Sequence, residues 1–71
     1  MAAGISPREH EIAELLAEGY NGPEIAARLG IAPRTVKQHC DTLRWKLGVP
    51  ERRFIGPAYR RLHASWQSTS S

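Results

Sequence analysis

Apolar residues recur at three- and four-residue intervals in three successive blocks of this 71-residue chain. That period belongs to amphipathic helices that bury one stripe. In the first block Ile12, Leu15 and Leu16 form the stripe, and Ile5 stands ahead of it as a staple. Ser6 is a good N-cap, Pro7 suits the first helical position, and Glu9 completes a capping box. The pattern predicts a helix from Pro7 to about Glu18, stopped by Gly19.

The second block repeats the cap logic in Asn21-Gly22-Pro23-Glu24. Ile25, Ala26 and Leu29 face inward, and the small Ala26 and Ala27 let neighbouring helices approach closely. Gly30 supplies the positive φ of a tight turn. The third block predicts a helix from Pro33 to Leu47, closed by Gly48. Its cap is weak, because Ala32 has no side-chain oxygen. At about 100° per residue, Val36, Cys40, Leu43 and Leu47 fall on one side. Arg34, Gln38, Asp41 and Trp45 fall on the other, flanked by Lys37 and Thr42. Two helices joined by a tight glycine turn make a helix-turn-helix, whose second helix typically enters the major groove of DNA.

The last block is interrupted by Gly56-Pro57, and proline breaks a helix interior. The expectation is a turn through residues 50–56 and a helix from Pro57 to about Trp66, with Tyr59, Leu62, His63 and Trp66 on one face. The polar tail 67–71 is expected to be disordered. The fold class is therefore all-α: a three-helix core plus a C-terminal helix, one domain over residues 1–66.

Size narrows the functional classes. A chain this short buries only about 60% of its unfolded surface, which argues against a sizeable catalytic cleft. One cysteine excludes an internal disulfide framework and fits a reducing compartment. No apolar run approaches the ~20 residues needed to cross a bilayer. The start, Met1-Ala2-Ala3-Gly4, lacks the features of a signal peptide. A cytoplasmic protein with no membrane association is the expectation. No phosphate-binding glycine loop, metal-ligand spacing or nucleophile–base pair is recognisable, so neither an enzyme, a metal site nor a cofactor is expected.

Charge sharpens the picture through its distribution. The net charge is +3, but residues 1–30 carry five glutamates against two arginines, a net of −3. Residues 31–71 carry eight cations against two acids, a net of +6. The basic part contains the proposed reading helix, and polyanions bind through such patches.

Several segments resemble the LuxR-type (GerE or FixJ type) helix-turn-helix domain. Ile5-Ser6-Pro7-Arg8-Glu9 looks like that family's opening, and Leu15-Leu16-Ala17-Glu18-Gly19 like the end of its first helix. Glu24-Ile25-Ala26-Ala27-Arg28-Leu29-Gly30-Ile31 resembles its scaffold helix and turn. Pro33 through His39, with Lys46-Leu47-Gly48-Val49, resembles its recognition helix and exit. Arg52 stands where the family often has an arginine. His39 and the Lys46-Leu47-Gly48-Val49 exit favour this family over the similar helices of sigma-factor region 4. The resemblance covers roughly residues 5–52. It implies a four-helix domain that binds double-stranded DNA and regulates transcription, usually as a homodimer. It also implies that Lys37, Gln38 and Asp41 approach bases, while Thr35, His39 and Lys46 contact or frame the backbone. Three positions depart from the family pattern: Asp41 replaces a basic or amide residue, Ala32 replaces a serine cap, and Gly56-Pro57 interrupts the last helix.

The DNA-binding candidates are thus Arg34, Thr35, Lys37, Gln38, His39, Asp41, Thr42, Arg44, Trp45 and Lys46. Lys37 can donate to guanine or phosphate, and Gln38 can pair with adenine. Arg34 and Thr35 suit phosphate oxygens. His39 either donates to phosphate or packs at the core edge. For Asp41, pairing with Arg44 or Lys37 on the helix surface is favoured over accepting from cytosine. Trp45 is either a contact surface or buried beneath residues 50–56 beside Phe54. Cys40 is expected inside the core. Tyr59, Leu62, His63 and Trp66 form either a cover for the domain's own core or a homodimer seam. The rival function is a protein-interaction module on the same scaffold, binding RNA polymerase or another regulator.

Overall fold

The computed structural model describes the backbone of residues 4–70 and the side chains of residues 4–62. Four α-helices run in the order α1 (Pro7–Ala17), α2 (Gly22–Leu29), α3 (Pro33–Leu47) and α4 (Ile55–Ser70). A 3-10 turn, Arg52–Phe54, leads into α4.

The ends of the first three helices follow from local chemistry. The Ser6 hydroxyl accepts from the Glu9 amide at 3.2 Å, and the Glu9 carboxylate accepts from the Ser6 amide at 3.0 Å. Asn21 and Glu24 make the same reciprocal pair, both at 2.9 Å. Each box satisfies two amides that have no acceptor within the helix. At Ala32 no side chain caps α3; the proline that follows removes one of the unsatisfied amides. Gly30, with φ 68°, ends α2 in the left-handed region, and the Ile31 amide returns to the Ala26 carbonyl at 3.0 Å. That reversal sets α3 against α2 as the second half of a helix-turn-helix.

Ile12, Ala13, Ile25, Ala26, Val36, Cys40, Leu43, Ile55 and Tyr59 form the core. Leu15, Leu16, Leu29 and Leu47 pack around it half-buried, as does Ile5. Ala26 is buried where helices approach, whereas Ala27 faces solvent.

The beginning of α4 differs from the sequence expectation. It starts at Ile55, not Pro57, so Gly56 and Pro57 lie inside its first turn. There a missing amide leaves no helical hydrogen bond unmade, and the proline is tolerated. Ile55, expected in a turn, is instead fully buried. Gly56 is the point of closest approach to α1: a Cβ there would lie 3.0 Å from Ala17 Cα and 3.2 Å from the Leu16 oxygen. The helical backbone runs on to Ser70, through a stretch expected to be irregular.

Tyr59 sits within the core of its own chain, 5% exposed, rather than on an outer face. Its hydroxyl lies 2.9 Å from His10 Nδ1, and the two rings meet edge to face. Burial, together with the charge of Glu14, pushes the Tyr59 hydroxyl above its ordinary pKa. Leu62 is half-buried. The side chains of His63 and Trp66, the other two seam candidates, lie outside the described residues.

Candidate nucleic-acid interface

Helix α3 is built as two surfaces. Val36, Cys40 and Leu43 are buried against α1, α2 and α4, which fixes how the helix is rotated. The opposite row, Arg34, Gln38, Asp41 and Trp45, is exposed, and so are the flanking Lys37, Thr42 and Arg44. Trp45 is 85% exposed, so the turn after α3 does not cover it. Among the described residues, nothing from α4 crosses this row.

The flanks are differentiated. Thr35 and His39 are half-buried on one side. The Thr42 hydroxyl donates to the Gln38 carbonyl at 3.1 Å, a local bond back along the helix. On the other side, Arg44 Nη1 lies 3.8 Å from an Asp41 carboxylate oxygen, three residues earlier on the same helix. Both groups are well exposed, so this pairing is weak. It is one of the two surface pairings expected for Asp41.

Lys46 stands apart from the other candidates. Its ammonium donates to Glu9 Oε1 at 2.7 Å and also to the Gly4 carbonyl. Glu9 is only 5% exposed. One carboxylate therefore caps α1 and holds the C-terminal end of α3. Burial by itself raises the Glu9 pKa. The hydrogen bonds from Lys46 and the Ser6 amide, with the positive charges of Lys46 and His39, outweigh it and leave the group below its ordinary value.

Sequence reasoning assigned no role in the interface to Arg52, and did not pair Glu9 with Lys46. Burial pushes the Cys40 thiol pKa up, and the positive charge of Arg52 beside it partly offsets that. The spacing of residues along the chain carries no signal for either contact, because each joins segments far apart in sequence. The only hint for Arg52 was its match to a family arginine.

The described residues contain no cluster of histidine, cysteine and carboxylate side chains able to hold a metal. No helix among them is long and apolar enough to cross a membrane.

Residues 3–55 match the family profile GerE, described as bacterial regulatory proteins of the luxR family. The transcriptional regulatory protein UhpA of Escherichia coli is 49% identical over 45 residues, which is 63% of this chain and 23% of that protein. A Mycobacterium tuberculosis protein named as probable transcriptional regulatory protein NarL is 46% identical over 52 residues, covering 73% of this chain and 24% of its own. A larger protein of the same species, named as an HTH-type transcriptional regulator, is 38% identical over 58 residues; that is 80% of this chain but 7% of the relative. The chain thus spans about a quarter or less of these relatives. No solved structure matches it.

Proposed function

The chain belongs to the LuxR family of bacterial regulatory proteins, and from that premise we propose that it is a sequence-specific regulator of transcription that lays α3 in the major groove of double-stranded DNA. The observation that carries this reading is the open outer row of α3. Its apolar side is buried and cannot rotate outward, so Arg34, Gln38, Asp41 and Trp45 are held toward a partner. Gln38, with Lys37 beside it, is placed to meet base edges. Arg34 and Thr35, at the start of the helix, are placed to donate to phosphate and set the register. His39 and Thr42 continue the Thr35 edge along the helix. Lys46 braces the C-terminal end of the helix, because its ammonium is committed to Glu9.

In this reading the protein works in the cytoplasm as a homodimer on paired half-sites. Leu62 and the α4 residues beyond it, His63 and Trp66, form the seam, without Tyr59. Its output in this reading is occupancy of DNA.

Selection of bound sites from a random duplex library tests the proposal. Enrichment of a defined half-site is the expected result. Gln38→Ala should then relax preference at one base position, by about 1–3 kcal/mol of discrimination. Lys37→Ala should weaken binding more evenly across sequences. Failure to enrich any motif would refute sequence-specific recognition.

One observation favours a second reading. An almost fully exposed tryptophan suits a protein partner such as RNA polymerase or another regulator as well as DNA. Under that reading Trp45→Ala abolishes partner binding and leaves duplex affinity unchanged.

A further inference from the structure

Residues from three elements meet on one flank of α3. Arg52, in the 3-10 turn, lays its guanidinium against the start of α2, where a Cβ on Gly22 would lie 3.3 Å from Nη1. The same side chain lies beside Cys40 of α3, in the lining of one hollow. Arg52 and Cys40, together with Lys37, Asp41 and Arg44, line this hollow of about 360 Å³. Three of the five lining side chains are cations and one is an anion, a net charge of +2. The anion, Asp41, lies 3.8 Å from Arg44 and acts as the hollow's own counter-ion.

The position of the hollow indicates what it takes. It lies on one flank of α3 and shares Asp41 with the outward row. When such a row faces base edges, a ridge of phosphates runs along each flank. A guanidinium presents its donors as a planar fork that matches phosphate oxygens. Packing against Gly22 and Cys40 holds this fork in place, so less freedom is lost when an anion arrives.

We propose that this hollow receives one backbone phosphodiester of duplex DNA, gripped by Arg52 with Arg44 and Lys37, and that Asp41 is an internal anion which the phosphate displaces. The proposal rests on the DNA-binding reading and extends it to a residue outside α3. Asp41 thereby has a physical role: it lowers affinity for every sequence alike, which leaves more of the discrimination to base contacts.

The test uses the whole chain and duplex DNA titrated at several salt concentrations. Arg52→Gln should weaken binding about tenfold per protomer on all sequences and make the slope of log affinity against log salt shallower by about 0.9 per protomer. Asp41→Asn, at an exposed position that does not threaten folding, should tighten binding equally on all sequences. A scan of duplexes carrying a single neutral methylphosphonate should find a position that weakens the parent protein but not the Arg52→Gln variant. If Arg52→Gln fails to fold, the scan is read against Arg52→Lys, which keeps the charge but loses the fork and should still blunt the effect. Titration of the free protein with inorganic phosphate, followed by 31P NMR, separates a free-anion site from a duplex site. Saturable phosphate binding at millimolar concentration would overturn the duplex assignment. A protein that binds duplex with no coupled methylphosphonate position, or with Asp41→Asn altering preference at one base only, would overturn the hollow while leaving the DNA reading intact. Absence of binding to any duplex would overturn both.

Discussion

Glu9 joins two ends of the molecule through one carboxylate. It caps α1 through the Ser6 amide and receives the Lys46 ammonium from the end of α3. Little solvent reaches it, so loss of either partner leaves a buried polar group unsatisfied. Its pKa is depressed below the ordinary 4.5, despite burial, by those hydrogen bonds and nearby positive charges. The folded state therefore prefers the ionised form more strongly than the unfolded chain does. The associated stability is fully present above the unfolded pKa and is lost as pH falls through the lower folded value. Glu9→Gln should cost about 2 kcal/mol near neutral pH. It should also flatten the acid limb of stability against pH below about 4.5. Urea unfolding at a series of pH values measures both. An unchanged acid limb would mean that the ion pair contributes nothing.

At the scale of the element, two helix beginnings depart from ordinary sequence rules in opposite ways. The start of α4 contains Gly56 and Pro57, residues that usually end helices, yet it is helical from Ile55. Pro57 sits where no donor is required, and Gly56 allows the backbones of α1 and α4 to touch. Gly56→Ala improves intrinsic helix propensity but drives a methyl against the Ala17 backbone. It should destabilise the fold by about 1–3 kcal/mol, because the obstacle is main chain and cannot swing aside. Chemical denaturation decides the sign: stabilisation would show that the helices can separate without cost. The start of α3, by contrast, lacks a good cap. Ala32→Ser adds an oxygen for the free amides of the first turn and should raise stability by about 1 kcal/mol. A matching rise in the denaturation midpoint is the readout.

At the scale of the whole molecule, the charge asymmetry of the sequence falls on particular elements. The glutamates of α1 lie in one part of the chain, while α3, the 3-10 turn and the described part of α4 carry the cations. A surplus of cations on α3 and the segment after it favours the approach of a polyanion there. If about five phosphates are neutralised per protomer, log affinity should fall with log salt at a slope near −4.5. A homodimer formed through α4 doubles that slope on a paired site. Sedimentation at micromolar concentration tests the dimer directly. A monomer at every concentration, with binding to isolated half-sites alone, would remove the α4 seam from the account.

The sequence by itself determined the helices and most of the core. Caps such as Ser6 and Asn21, glycine stops and the apolar period are local instructions, read within one or two turns of the residues that carry them. The same local logic placed Val36, Cys40 and Leu43 inside, and thereby turned Gln38 and Asp41 outward. It failed where the outcome depended on a neighbour. Pro57 looked like a break because its position within the helix was unknown until Ile55 found the core. Trp45 stayed undecided until the following turn packed away from it, and Tyr59 until His10 met its hydroxyl. The hold of Glu9 on Lys46, and the approach of Arg52 to Cys40 and Gly22, were decided by the tertiary structure alone. Each brings together groups from separate elements, and a one-dimensional pattern carries no term for distance across a fold.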